Sequence, residues 1–465
     1  MEQRSLLDCP QEVQLNIAGF LRQAALANLC MTSRALHNLS EPLVYSAIQI
    51  TWTRKYLPPV AHVQLLRTLL QRQDLCKYVR SLEFAGNGFS DSLNPPKPGQ
   101  KPAPPAIPSL PFKELTAAVK GLDLPQSEVD AWVDRAQSGF SDTVAAILIS
   151  LLPMLEELCL CANWVNKTVS LRTVFRLAFC GNSQSQTGGY LQPFSCLRSV
   201  SIAPKKEEHA NLDPENTAEA LSLFYLPTIE HLSVPIDNPT QFSWPCSMPP
   251  NPSFLTSLEL FRLRETRLGP ILSATKNLKK LRYNWVYRPD LDREVSTHVV
   301  LLDVMAEAFL YVRDSLEELE ITADTFPAVS WGDYEPPEIE FQASLSQLCG
   351  MHRLRTLNIP WSFLIGMDNY PDTPRVGPAL PDSLEHLTLG YYYIGDEMSE
   401  DPDNEMISSL EVELESGSLS HVTKLKSVSL PQSSDTPEMS QACRDRLDSL
   451  GARFNLVLDS EPDTE

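Results

Sequence analysis

A short pattern of apolar and polar residues recurs along most of the chain. Each copy has an aliphatic residue, two polar residues, an aliphatic residue, one mostly polar residue and a final apolar residue. The last three positions alternate in polarity, which is typical of a short strand with one buried face. The copies are VRSLEF at Val79, LEELCL at Leu155, LRSVSI at Leu197, IEHLSV at Ile229, LTSLEL at Leu255, LKKLRY at Leu278, LEELEI at Leu316, LRTLNI at Leu354, LEHLTL at Leu384 and LKSVSL at Leu425, with a looser copy, FNLVL, at Phe454. Such self-similarity predicts an array of structural repeats.

A single strand of this kind cannot bury its apolar face alone. Stacked in parallel, neighbouring strands pair their backbones and cover one another's aliphatic side chains. The segments between copies have helical spacing, and one stripe of FSDTVAAILISLLPML contains Val144, Ile147, Leu148, Leu151 and Leu152. Right-handed crossovers would place helices on the convex side and strands on the concave side. We therefore predict an α/β fold in which residues 51–458 form a solenoid.

This array resembles the leucine-rich repeat family. The distance between copies varies from roughly 23 to 42 residues after the first gap, whereas a regular leucine-rich repeat has about 20 to 29. The Asn or Cys that the family has after the strand is mostly missing. The resemblance thus implies an irregular, leucine-rich-repeat-like solenoid.

Three stretches depart from the repeat pattern. Residues 94–111 contain so much Pro that neither a helix nor a sheet can continue, which predicts an exposed, partly extended loop. Residues 395–415 predict a solvated acidic loop, and residues 459–465 an acidic tail. The Pro-rich loop could instead bind SH3-like modules, and the acidic residues could bind a basic partner.

The first forty residues have a different, helical pattern. Pro10 suits the first turn of a helix, and Glu12 lies near the positive end of that helix. Val13, Ile17, Phe20 and Leu21 then share one apolar face, Leu26 and Leu29 belong to a second helix, and Thr32 or Ser33 can cap a third helix that carries Leu36 and Leu39. Three short helices bury too little apolar area to fold alone. The pattern leaves two roles open: a cap on the first repeat, or a docking module for another protein.

The order of residues in this segment resembles an F-box. The resemblance rests on LLDCPQEVQLNIAGFL followed by LANLCMTSRALHNL, and the continuation SEPLVYSAIQI is similar to fungal F-box proteins. It implies that a three-helix F-box in residues 1–50 binds the Skp-type adaptor of a cullin-RING ubiquitin ligase, while the remainder holds a protein substrate. The adaptor-facing positions would be Leu7, Pro10, Glu12, Val13, Ile17, Leu21, Leu26, Leu29, Ser33 and Leu36. Cys9 and Leu36 depart from the family, which usually has Leu and often Trp there.

Charge and composition exclude several other classes of partner. With 38 Lys and Arg against 59 Asp and Glu, the formal charge of -21 opposes binding to nucleic acid. The chain has no run of about 18 apolar residues, so we expect no membrane span. The ten cysteines form no CxxC pair, and Cys159 and Cys161 alternate along a strand, which predicts reduced, mostly buried thiols rather than a metal site. These features favour the cytoplasm or the nucleus.

No catalytic motif is present, and we predict a non-enzymatic protein without a cofactor. His231 and His386 occupy the same polar position of two copies, which predicts exposed or hydrogen-bonded side chains. Aromatic residues gather where strands give way to loops, and we predict that Trp285, Trp361 and Tyr392 form part of the substrate surface. They could instead fill the core of irregular repeats. Two other functions remain open: a repeat scaffold without ligase function, and an enzyme whose site the motifs do not reveal.

Overall fold

The chain forms two compact units with the same alternation of strands and helices. The computed structural model describes residues 9–91, 105–165, 168–180, 194–204, 217–236, 242–288, 293, 296–325, 339–365, 376–390, 402–431 and 439–461. The first unit contains the described residues up to Ile229 except Thr217, and the second contains Thr217 and those from Glu230 onward.

The first unit begins with helices and continues with four strands. Its helices are α1 (Gln11–Gly19), α2 (Gln23–Cys30), α3 (Arg34–Val44), α4 (Ala61–Gln71), α5 (Phe112–Lys120), α6 (Gln126–Gln137), α7 (Ser141–Ser150), α8 (Val169–Cys180) and α9 (Thr217–Leu223), the last of which starts one residue outside the unit. Its strands are β1 (Ala47–Thr51), β2 (Ser81–Ala85), β3 (Glu157–Leu160) and β4 (Ser199–Ile202). They pair in this order, and every pairing is parallel.

The second unit contains eight strands of a parallel sheet and a separate pair. The sheet strands are β5 (His231–Pro235), β6 (Ser257–Phe261), β7 (Lys280–Tyr287), β9 (Glu318–Thr325), β11 (Thr356–Pro360), β12 (His386–Gly390), β13 (Ser427–Pro431) and β14 (Val457–Glu461), and the pair is β8 (Val299–Leu301) with β10 (Glu340–Gln342). The helices are α10 (Glu265–Ala274), α11 (Leu302–Phe309), α12 (Trp361–Ile365), α13 (Pro402–Glu415) and α14 (Gln441–Phe454). The sheet strands follow one another in chain order and pair in parallel.

The strands arise where the repeated pattern predicts them. Each of the ten copies starts a strand at its third residue, so that Leu155 is followed by β3 and Leu354 by β11. The first aliphatic residue of each copy is fully buried, except for the half-buried Leu425. Along the strands, buried and accessible residues alternate, as for Leu158 and Cys159 of β3. The predicted α/β architecture with parallel strands is therefore confirmed, whereas the curvature of a solenoid stays a prediction.

The acidic segment near the end of the chain is in large part a helix. We predicted an acidic loop over 395–415, but 402–415 form α13 and bury Met406, Ile407, Leu410 and Leu414. These apolar residues recur at helical spacing, and this periodicity outweighs the charge between them. The predicted tail is likewise wrong at its start, because β14 extends to Glu461. Residues 395–401 and 462–465 lie outside the described residues.

The described part of the Pro-rich segment lacks helix and strand, as predicted, but it is not exposed throughout. Residues 105–111 contain neither helix nor strand, while 94–104 lie outside the described residues. The side chain of Gln137 fixes this segment by donating to the Leu110 carbonyl over 3.0 Å. Leu110 is itself buried, so the segment packs on the unit at this point.

Aromatic side chains fill the core of the first unit beside β2. Trp164 packs edge-on against His62 of α4 at 5.4 Å between ring centroids, and against Phe84 at 4.8 Å. His62 is 1% exposed, and this burial lowers its pKa to about 4. Backbone groups of Pro59 and Gly139 partly oppose that shift. The imidazole is therefore neutral at physiological pH.

None of the helices in the described ranges has both the length and the apolar character needed to cross a bilayer.

Candidate docking surface

Hydrogen bonds to Pro10 and Ser33 mark the starts of α1 and α3. Pro10 precedes α1, and its carbonyl accepts hydrogen bonds from the amides of Val13 and Gln14 at 3.0 and 3.1 Å. The hydroxyl of Ser33 accepts from the Leu36 amide at 3.2 Å, which makes Ser33 the N-cap of α3. The predicted three helices, and the predicted cap at Thr32 or Ser33, are thus confirmed.

The third helix connects the other two to the first strand. Both α1 and α2 pack on α3, and α3 contacts β1. Gln23 of α2 donates to the carbonyls of Val44 and Ala47 at 3.2 and 3.0 Å, which fixes α2 on the end of α3. Arg72, after α4, forms two 3.2 Å hydrogen bonds with Glu41 of α3. These contacts hold the helices on the first unit without covering their outer surface.

The outer surface of these helices is unusually apolar. Of the fourteen exposed large hydrophobic residues in the described chain, six lie between residues 13 and 31: Val13, Leu15, Ile17, Phe20, Leu21 and Met31. Phe20 is 89% exposed and Met31 is 87% exposed. The other eight are distributed over more than three hundred residues. Single exposed apolar residues are normal, but their concentration in this segment makes it a candidate interaction surface.

Most of the residues implied as adaptor-facing are accessible. Pro10, Glu12, Val13, Ile17 and Leu21 are exposed, and Leu29, Ser33 and Leu36 are half-buried.

Leu26 is the exception. It is 6% exposed, because it fills the contact between α2 and its neighbours. The prediction that Leu26 faces a partner is therefore wrong, and this residue belongs to the internal packing of the helices. Leu7 lies outside the described residues. Met31 was not predicted as an exposed apolar residue, because it follows α2 and belongs to no periodic pattern. Phe20 was placed on the apolar face, but no contact with a partner was predicted for it.

Of the two described aromatic residues predicted to bind a substrate, one is buried and the other is half-buried. Trp285 is fully buried, so the prediction for this residue is wrong. Its indole donates to a carboxylate oxygen of Glu265 over 2.9 Å, and the guanidinium of Arg264 lies 4.5 Å from its ring. Trp361 is half-buried, and among the described residues its ring nitrogen has no hydrogen-bond partner. Tyr392 lies outside the described residues.

The ion pair beside Trp285 is a structural centre of the second unit. Arg264 and Glu265 are 3% and 1% exposed and form two hydrogen bonds of 3.0 and 3.2 Å. Arg264 also donates to the carbonyls of Thr297 and Val299, each over 2.7 Å. These bonds fix the start of β8. Removing one partner of a buried ion pair leaves the other charge uncompensated, which strongly destabilises the fold. We therefore regard the Arg264–Glu265 pair as a structural feature.

The accessible face of the second unit's strands carries paired charges. Arg282 of β7 lies between Glu259 of β6, at 4.0 Å, and Glu320 of β9, at 2.7 Å. Two residues earlier on the same strands, Lys280 pairs with Glu318 at 2.7 Å. Exposed pairs of this kind contribute little stability, about 0 to 1 kcal/mol each. They do form a patterned polar face, in which positive side chains of β7 alternate with negative side chains of β6 and β9.

The two histidines at equivalent strand positions lie on the same type of surface. His231 and His386 both begin a strand and are both exposed, as predicted. His386 shares a 2.8 Å hydrogen bond with the hydroxyl of Ser427 on the next strand. The carboxylate of Glu385 precedes His386 in the chain and interacts with it electrostatically.

A polar cavity of about 230 Å³ lies near the start of the strands in the second unit. It is lined by Glu317, His352, Arg353, Arg355, Ser383, Glu385 and Lys424. The hydroxyl of Ser383 donates to the carbonyls of Leu354 and Met351, over 2.7 and 3.2 Å. Lys426, hydrogen-bonded to Glu385, lowers the pKa of that carboxyl and keeps it ionised.

The cysteines are all free thiols in the described chain, but they are not mostly buried. Only Cys76 and Cys443 are buried, whereas six others are half-buried and Cys349 is exposed. The prediction of mostly buried thiols is therefore wrong. Cys159 and Cys161 are half-buried on the accessible strand face, where the larger sulfur atom fits as well as the hydroxyl of a Ser would.

A scan against protein-family models finds no match for this chain, and neither does a search of curated proteins.

Proposed function

We propose that this protein is the substrate-recognition subunit of a cullin-RING ubiquitin ligase. Helices α1 to α3 dock on the Skp-type adaptor, as the F-box resemblance implies, and the leucine-rich-repeat-like remainder holds a protein substrate. The observation that carries the proposal is the uncovered apolar surface of α1 and of the two residues after it, formed by Val13, Ile17, Phe20 and Leu21.

An uncovered face of this kind favours docking over capping. A cap exists to cover the end of a repeat array, so its apolar side chains should be buried against the first repeat. In α1 only Ala18 is buried, while Val13 and Ile17 are 42% and 43% exposed. Exposed apolar area is costly in water, at about 25 cal/mol per Å², and a partner that covers it gains that free energy. We therefore assign the inward contacts to Leu26 and Leu39 and the outward contacts to α1.

The proposed role requires no bond chemistry from this chain. A ligase-bound ubiquitin-conjugating enzyme supplies the activated thioester, and the receptor holds a substrate lysine near it. Such positioning turns a bimolecular encounter into an effectively unimolecular one. We assign substrate contact to the patterned face with Arg282 and Lys280, in place of the buried Trp285.

The test is capture of purified full-length chain by the Skp-type adaptor. The double variant Val13→Asp/Ile17→Asp places two charges on the docking face, and we expect at least about a 100-fold loss of affinity, since buried interface anchors are worth about 2 kcal/mol each. The matched control is Ile107→Asp/Val457→Asp, which changes the same residue types at positions 45% and 61% exposed. The control should be captured like the wild type.

Failure of the folded wild-type chain to bind the adaptor would contradict the proposal. The protein would then be a repeat scaffold for protein-protein interaction, and α1 would serve another contact. Circular dichroism of each variant distinguishes lost binding from lost folding.

A further inference from the structure

Three potential metal ligands meet on the accessible strand face of the first unit. Glu83 of β2, Cys159 of β3 and Cys161 just after β3 place one ligand atom each within 4.8 Å of the others. The two sulfur atoms are 3.9 Å apart. All three side chains are half-buried, so a small ion can reach them from solvent.

The fold creates this cluster from residues that are distant in sequence. Glu83 and Cys159 are register partners on adjacent parallel strands, and they point to the same face. Cys161 is two residues beyond Cys159, so it lies on that face too. Gln49 of β1 donates to Glu83 over 2.8 Å and orients the carboxylate. Backbone pairing continues to Cys161, whose amide donates to the Phe84 carbonyl at 3.0 Å, and this fixes its position.

The spacing of the ligands fits a tetrahedral cation that prefers sulfur. Two thiolates bound at about 2.3 Å to one tetrahedral zinc ion lie about 3.8 Å apart, which is close to the 3.9 Å between these sulfur atoms. Two sulfur ligands disfavour Mg²⁺ and Ca²⁺, which select oxygen. A Cys₂Glu set leaves a fourth position for water, as in zinc sites with one open position.

We propose that Glu83, Cys159 and Cys161 form a binding site for a zinc-class divalent cation. Binding releases the two thiol protons to solvent, and the bound ion connects β2 to the end of β3. The site stabilises the first unit and is independent of adaptor docking. Sequence spacing alone gave no reason to expect it, because Glu83 is brought in only by the strand register.

Cobalt titration of the full-length, reduced protein under anaerobic conditions tests the site. Tetrahedral Co²⁺ with thiolate ligands gives intense visible bands and a near-ultraviolet charge-transfer band, and added Zn²⁺ should abolish both. We expect one such site per chain in the wild type. Cys159→Ala and Cys161→Ala should each reduce affinity at least about 100-fold, and Glu83→Gln, which preserves side-chain volume, about 10-fold or more.

Two control variants separate this site from unspecific binding by other thiols. Cys349→Ala removes an exposed thiol of the second unit, and Cys30→Ala a half-buried one of α2. Both should keep the cobalt spectrum. Zn²⁺ should also raise the melting temperature of the wild type but not that of Cys159→Ala. The proposal is overturned if the wild type shows no tetrahedral spectrum at micromolar Co²⁺, or if Cys159→Ala binds as tightly as the wild type.

Discussion

Helices α1 and α7 belong to the same compact unit and use their apolar residues in opposite ways. In α7 every residue from Thr143 to Ile149 is buried, whereas in α1 only Ala18 is. Helix α7 packs against α4, α6 and α8, while among the described helices α1 has its main contact with α3. Both have several aliphatic residues, so apolar content alone does not determine burial.

The difference shows what each helix contributes to the protein. Burial of α7 stabilises the repeats, because each aliphatic side chain removed from water contributes about 1.5 to 3 kcal/mol. The apolar side chains of α1 contribute little to stability because most of them are exposed. A substitution on α7 should therefore change stability, and the same substitution on α1 should change binding.

The largest expected effect comes from one substitution made in both helices. Ile147→Ala in α7 should lower the free energy of unfolding by about 2 to 5 kcal/mol, since it leaves a cavity around a fully buried side chain. Ile17→Ala in α1 should lower it by about 1 kcal/mol or less, because this side chain is 43% exposed. Urea denaturation followed by circular dichroism measures both. Equal losses would contradict the comparison and favour a capping role for α1.

Acid should destabilise the buried part of the first unit through His62. Its folded pKa is about 4, below the usual 6.5, so between these values the unfolded state binds a proton that the folded state does not. The free energy of unfolding should thus fall as the pH drops from 6.5 towards 4, by up to about 3 kcal/mol. Thermal unfolding across this range measures the effect.

Two histidine variants identify the source of this acid sensitivity. His62→Leu, which cannot be protonated, should reduce the pH dependence. His37→Leu, at a 47% exposed position in α3, should leave it unchanged. If both variants keep the full pH dependence, other buried groups are responsible and the assignment to His62 is wrong.

The smallest of these effects concerns two equivalent helix caps. Ser33 accepts from the Leu36 amide and Ser440 from the Cys443 amide, each at 3.2 Å. Replacement of either Ser by Ala should cost about 1 kcal/mol, the usual value for a lost N-cap. Hydrogen exchange should show that Ser33→Ala loosens α3, whereas Ser440→Ala loosens α14. A global loss of protection in Ser33→Ala would indicate that the N-terminal helices are integral to the repeat core.

The repeated pattern predicted the strands well because each copy combines the polarity of a strand with an aliphatic residue that must be buried in the core. Alternation gives an extended segment one buried face, and the preceding aliphatic residue, such as Leu278, anchors the turn in the core. Both requirements recur in every copy, so each copy supports the others. The first strand, β1, was missed because AIQIT lacks the preceding aliphatic position of the repeat.

Other features depend on contacts that no local pattern contains. Trp285 is buried because Arg264 and Glu265, twenty residues earlier, provide its hydrogen bond and its charged neighbour. The segments between copies were predicted to be helical, but Val299–Leu301 and Glu340–Gln342 pair as strands. The cluster of Glu83 with two cysteines requires the register of β2 and β3. Sequence spacing cannot reveal such neighbours, since they meet only after the sheet has formed.

The most direct test of the central claim measures binding and stability on one pair of variants. Ile17→Asp and Ile107→Asp introduce the same charge at isoleucines that are 43% and 45% exposed in the same unit. Calorimetric titration with the Skp-type adaptor, together with urea denaturation, should show that both variants unfold nearly like the wild type, while only Ile17→Asp loses adaptor binding. If Ile17→Asp unfolds the protein, or binds the adaptor as tightly as the wild type does, the apolar face of α1 is not a docking surface.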